Sequence, residues 1–155
     1  MIELRIQAQT PEIEQRYMAM LADNPKMACL ENSGFDLMTI EDVTLELSKN
    51  ALLVSTGIAL KLPTGYHAEV VMRSSTYKKY GIMLTNNIGI IDNSYCGKDD
   101  IIKMQIIKVG VTSEIRIPRF TRIGQLLIRK TEPAKIYFVS NFEDNNRGGF
   151  GSTGN

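Results

Sequence analysis

Short runs of β-branched and apolar residues follow one another along most of this chain, each closed off by turn residues. Residues 43–47 and 115–117 alternate apolar and polar positions, and 51–60, 66–73, 101–109, 123–129 and 135–139 are rich in β-branched and apolar residues. Ser48-Lys49-Asn50, Leu62-Pro63-Thr64-Gly65, Asn86-Asn87 and Thr131-Glu132-Pro133 punctuate them. Strands this short and this closely spaced bury their apolar faces by packing into a sandwich or closing into a barrel. The pattern therefore predicts an all-β fold of jelly-roll type, and no internal repeat interrupts it. A chain of 155 residues with 43% hydrophobic content fits one domain, residues 1–155, that builds its core without disulfide or metal staples.

One segment has a different period. Thr10 offers an N-cap and Pro11 occupies the first helical position. Ile13, Tyr17, Met20 and Leu21 then recur on a single helical face, and Asn24-Pro25 closes the run. A helix is predicted over 11–22, an insertion of about 11–23, packed on the core by that face. The tail, about 141–155, is polar, with glycines at 148, 149, 151 and 154. Such a composition favours a flexible arm. With Arg147, Phe150, Ser152 and Thr153 among the glycines, it is also suited to close over a flat, charged ligand.

The 18 basic and 17 acidic residues leave a net charge of +1. That balance gives no field for nucleic acid or an anionic membrane, and neither partner is expected. No apolar run reaches the length of a signal peptide or a bilayer span. Cys29 and Cys96 are too few for a disulfide framework, so a reduced, cytoplasmic protein is expected.

Several segments can carry chemistry. Met72-Arg73-Ser74-Ser75-Thr76 ends a strand with a guanidinium and three hydroxyls. A forked donor beside short neutral donors suits phosphate, although an ordinary strand-to-turn junction reads the same way. In Ile88–Gly97 an apolar run ends at Asp92, Tyr95 follows, and Gly89 and Gly97 bracket the segment. Asp92 is either a general base for water or a turn residue capping its own backbone, and the residues alone leave both open. Gln125, in Arg122-Ile123-Gly124-Gln125, either points an amide into a site or sits in a half-buried strand. Asp36 follows a glycine turn at Gly34. His67, the single histidine, has no ligand-spaced neighbours and reads as structural.

The order of these segments resembles the motifs of the trimeric dUTPases. They are Ser33-Gly34-Phe35-Asp36-Leu37, Arg73-Ser74-Ser75, Gly89–Gly97, Arg122-Ile123-Gly124-Gln125-Leu126 and Arg147–Gly154. The resemblance implies a jelly-roll homotrimer with active sites shared between subunits. The implied reaction is hydrolysis of dUTP to dUMP and pyrophosphate with Mg2+. It makes Asp92 the base that activates water against the α-phosphorus, and it packs Tyr95 on the deoxyribose. It assigns uracil to Asn86 and the backbone of Gly89, Ile90 and Ile91. Phosphates fall to Arg73, Ser74, Ser75 and Gln125. Arg147, Phe150, Gly151, Ser152 and Thr153 belong to the closing arm, and Asp36 to the metal through water. The sequence departs from the family at Ser94 and Cys96, at Phe120-Thr121 before Arg122, and at Asn145, where the last-motif arginine usually stands. Lys98-Asp99-Asp100 lengthens the hairpin, as in some bacterial and phage members, and a phage or viral source suits the compact chain. The competing readings are a catalytically weak dUTP-binding regulator on the same fold and, further off, a dCTP deaminase. The second would need a glutamate where Gln125 stands.

Overall fold

The computed structural model describes residues 2–28, 34–47 and 50–142. Two four-stranded antiparallel sheets face each other. The first has the order β1 (Arg5–Ala8), β4 (Leu52–Lys61), β8 (Ile101–Lys108), β6 (Ile82–Leu84). The second has the order β2 (Phe35–Met38), β10 (Arg122–Lys130), β5 (Tyr66–Met72), β7 (Gly89–Ile91). A two-stranded ribbon, β3 (Val43–Glu46) with β9 (Glu114–Ile117), completes the jelly-roll-like arrangement.

The period of two decides what is inside. On β8, Ile102, Met104 and Ile106 are buried while Lys103 and Gln105 between them are exposed. Leu37, Ala68, Val70 and Leu126 fill the space from the opposite sheet. The sheets approach so closely that a Cβ on Gly124 would collide with the Met104 sulfur, so any larger residue here would force Met104 to shift.

Helix α1 (Pro11–Asp23) forms where the capping residues place it. The Thr10 hydroxyl accepts the Ile13 N–H at 3.3 Å, and Ile13, Tyr17 and Met20 are buried. Ile13 docks over Gly57 of β4, whose φ of +71° and proximity to Ile13 and Ile40 leave no room for a side chain. Pro25 does more than close α1. It opens a further short helix, α2 (Pro25–Ala28), because proline suits a first helical position as well as a stop. A third, α3 (Thr76–Tyr80), follows the Arg73-Ser74-Ser75 turn. The structure thus has three helices among the described residues, where the sequence predicts one.

The expected strand at 135–139 is absent, since residues 131–139 take no regular structure. Ile136 is 83% exposed, Phe138 101% and Phe142 85%. A strand requires a ladder partner, and among the described residues no strand edge pairs with the segment. Conversely, β1, β2, β6 and β7 have only three or four residues each, too short to show a period.

Candidate active site

Cross-strand partners in an antiparallel sheet project to the same face. Asp36 pairs with Gln125, Gln125 with Val71, Glu69 with Ile90, and His67 with Arg129. One face of the second sheet therefore carries the sequence-predicted polar residues, and its other face carries Leu37, Val70 and Leu126 into the core. Arg122 and Gln125 are three apart, which in a regular strand places them on opposite faces. A register shift between Arg122 and Gly124 inserts one residue and returns Arg122 to the side of Asp36.

Asp36 organises the β2 end of this face. It is 5% exposed. Its Oδ1 lies 2.9 Å from Arg73 Nε, and its Oδ2 lies 3.3 Å from Arg122 Nη1. Arg73 Nη1 also donates to the Arg122 carbonyl at 3.3 Å, and the Arg73 N–H to the Ile123 carbonyl at 3.1 Å. A buried carboxylate is tolerated when it is paired and hydrogen-bonded, and two guanidinium groups supply both conditions here. Two cations share one anion, so the cluster keeps net positive charge, and both guanidinium groups stay partly open to solvent. Gln125 Nε2 donates to the Met72 carbonyl at 3.3 Å, which fixes the amide beside Arg73. The turn that follows is held by Thr76, whose buried hydroxyl donates to the Ile123 carbonyl at 2.7 Å. Ser75 stands at the cap of α3 but makes no side-chain cap bond, and Ser74 is exposed. Both hydroxyls can serve an incoming oxyanion.

The second group lies along β7. The turn at 85–88 carries the chain from β6 in the first sheet to β7 in the second, with Asn87 at φ 57°. Gly89 lies against β5: a Cβ there would come 3.3 Å from Val70 Cβ and 3.6 Å from Asn86 Nδ2. Asn86 thus borders Gly89 at the start of the edge strand β7. Asp92 follows directly and is exposed. Its Oδ1 accepts the Ser94 N–H at 2.7 Å and also the Ser94 hydroxyl. These two donors, the hydroxyl first, hold the Asp92 carboxyl below the usual carboxylate range. Tyr95 Oη donates to the Ile101 carbonyl at 3.2 Å, and Asp100 Oδ2 accepts the Gly97 N–H at 2.7 Å. The lengthened Lys98-Asp99-Asp100 stretch therefore closes its own loop.

The two groups share a sheet but not a place on it. Continuing the β5–β7 ladder by one residue sets Asp92 level with His67, and Arg73 lies six residues further along β5. That is about 20 Å of strand.

Both oxygens of Asp36 face guanidinium groups, and among the described residues no group of three or more His, Cys, Asp or Glu side chains could hold a metal. Arg122 joins the Asp36 cluster although the sequence assigns it no role beyond its place in a motif. The one signal was the isolated carboxylate Asp36, whose burial only the structure shows. His67 Nδ1 is bonded with the Thr131 hydroxyl at 2.9 Å, and its Nε2 lies 3.8 Å from Glu69 Oε1. Cys29, Ser33, Arg147, Phe150, Gly151, Ser152 and Thr153 lie outside the described residues.

Among the described residues, no helix is long and apolar enough to cross a membrane. The family model described as dUTPase matches residues 22–154. The SPbeta prophage-derived deoxyuridine 5'-triphosphate nucleotidohydrolase of Bacillus subtilis is 40% identical over 125 residues, covering 80% of this chain and 85% of its own. The deoxyuridine 5'-triphosphate nucleotidohydrolase of Thermobifida fusca is 37% identical over 132 residues, covering 84% and 72%. In fold, the chain resembles the dUTPase of Staphylococcus bacteriophage 80alpha with dUPNHPP, at a TM-score of 0.73 and 21% identity over 99% of both chains. A mutant dUTPase of the S. aureus phage phi11, described with a structural Mg(II) ion, gives a TM-score of 0.71 at 18% identity, covering 92% and 100%. With two motif groups on one sheet face, this match in sequence and this match in fold, the chain belongs to the dUTPase family, and its reaction is the hydrolysis of dUTP.

Proposed function

We propose that the chain hydrolyses dUTP in a homotrimer whose active sites take Asp92 from one subunit and the Asp36–Arg73–Arg122 cluster from another. The separation along β5 carries this reading. A base and the cations that bind the reacting phosphate must meet within hydrogen-bond reach of a single phosphoryl group. In one chain, Asp92 and Arg73 are about 20 Å apart along a rigid strand. A second copy brings them together. Ile136, Phe138 and Phe142 are each exposed, apolar area of the kind that a neighbouring copy would cover.

In this arrangement Asn86 and the backbone of Gly89, Ile90 and Ile91 read the uracil, and Tyr95 packs on the deoxyribose. Asp92 takes the proton from the attacking water. Ser94 supports this by holding the carboxyl in its charged form. Arg73, Arg122, Ser74, Ser75 and Gln125 meet the charge that develops on the phosphates. On the family resemblance alone, Arg147, Phe150, Gly151, Ser152 and Thr153 are assigned to the arm that closes over the nucleotide. Magnesium prefers phosphate oxygens and retained water, so it is expected to arrive on the triphosphate, with Asp36, which anchors two arginines, meeting the ion only through water. The idle-regulator and deaminase readings are not favoured, since the curated relatives are named as nucleotidohydrolases.

The test is subunit complementation. Asp92→Asn and Arg73→Ala chains should each be inactive alone. Co-assembled, they should recover activity, because about a quarter of randomly mixed sites draw an intact Asp92 and an intact Arg73 from different chains. No recovery in verified mixed trimers would place both groups in one chain and overturn the shared site.

A further inference from the structure

Helix α1 lies almost wholly ahead of the segment that matches the family. Its contacts nevertheless converge on the two elements that carry the arginine cluster.

β2 is an edge strand of its sheet, so alternate backbone N–H groups point away from β10. Two of them are met by side chains of the helical segment. The Met38 N–H donates to Tyr17 Oη at 3.1 Å, and the Asp36 N–H to Met27 Sδ at 3.5 Å. Tyr17 Oη in turn donates to the Thr56 carbonyl of β4 at 3.0 Å, and its ring stacks on Phe35 with centroids 5.5 Å apart. Tyr17 is 4% exposed, and burial pushes its phenol far above the usual range. The hydroxyl therefore stays protonated, with one donor and one acceptor role fixed. Asp36 and Met38 lie on one short strand, so this phenol fixes the position of β2 and with it the backbone of Asp36.

The same helix reaches the other partner. Arg122 is preceded by the turn at 118–121, in which Phe120 has a φ of 62°, a conformation that a bulky residue adopts only when held. Arg16 and Arg119 lie over the Phe120 ring at 4.8 and 4.2 Å. Arg119 is tied to Glu12 of α1 at 2.7 Å and to the Ile40 carbonyl at 2.8 Å.

We infer that α1 is a positioning element for phosphate recognition, with Tyr17 setting Asp36 and the Glu12–Arg16 side setting the turn before Arg122. This rests on the assignment of the Asp36–Arg73–Arg122 cluster to the phosphates. Tyr17 touches no substrate. Its role is exerted through Asp36.

The experiment compares binding of dUPNHPP with binding of deoxyuridine, which has no phosphate, in the full-length protein. Tyr17→Phe keeps the ring and removes the oxygen. It should weaken dUPNHPP about tenfold, as small misplacements of positioning groups do, and leave deoxyuridine unchanged. In an Asp36→Asn background, already weakened for dUPNHPP, Tyr17→Phe should add nothing. Equal losses for both ligands, no loss at all, or a full independent loss on top of Asp36→Asn would each overturn the inference. If Asp36→Asn alone leaves dUPNHPP binding intact, it is the phosphate-site assignment that fails. Should Tyr17→Phe not fold, Arg16→Met on the exposed side of α1 carries the test. It should lower dUPNHPP affinity several-fold without touching deoxyuridine, and an unchanged ratio overturns the inference.

Discussion

The two halves of the site are built in opposite ways. The Asp92 hairpin is exposed and holds itself by contacts a few residues apart: Ser94 on Asp92, Asp100 on Gly97, Tyr95 on Ile101. The arginine cluster is assembled across three strands, with Asp36 buried between residues distant in sequence. The difference fits the work proposed for each half. A base that moves a proton needs access to water and a suitable local field, and one turn provides both. Cations that meet a phosphate must be held in place beforehand, since otherwise their mutual repulsion and their reorganisation oppose the reaction. Only a packed sheet can hold them so.

The largest effect should come from the exposed half. Asp92→Asn keeps the shape of the turn and removes the base. Turnover should fall by about 10²–10⁴-fold while dUPNHPP binding is retained. Single-turnover kinetics beside a binding isotherm would check this, and normal turnover would remove Asp92 from the mechanism.

The buried half should respond differently. Asp36→Asn leaves Arg73 and Arg122 without their anion. The expected results are a raised KM for dUTP and a loss of about 1–3 kcal/mol in stability, reduced from the fully buried case because the arginines are partly exposed. Denaturant unfolding and steady-state kinetics over a magnesium titration would check both. A defect rescued by excess magnesium would show that Asp36 also serves the metal.

The smallest effect sharpens the comparison from within the hairpin. The Ser94 donors favour the charged form of Asp92 and so lower its pKa. Ser94→Ala removes one of them. The carboxyl should then titrate higher, and the acidic limb of kcat/KM should move to higher pH with the plateau little changed. A limb that stays in place would show that Ser94 does not tune the base.

How much of this was legible follows from the same contrast. Thr10-Pro11 and the apolar face behind it announced α1, and the structure starts that helix where they indicate. The long strands β4, β5, β8 and β10 were visible as β-branched runs, whereas the three- and four-residue strands left no period to read. Residues 135–139 carry a strand-like composition without a strand, because composition records what can join a ladder and not whether an edge is available. Asp92, Ser94 and Tyr95 could be read as a turn near a site. The pairing of Asp36 with Arg73 and Arg122 could not, since the register shift at Ile123 reverses which face Arg122 occupies.

The sequence by itself determined the β-rich fold, the start of its first helix and the hairpin that presents Asp92. These depend on backbone dihedrals and on contacts a few residues apart, which neighbouring side chains dictate. Only the tertiary structure decided that Asp36 anchors two arginines, that Tyr17 joins β2 to β4, and that one chain holds its two motif groups at opposite ends of a strand. Those outcomes turn on register, on a single inserted residue and on the distance between sheets. Each is set by the packing of the whole core, and no local stretch of sequence contains it.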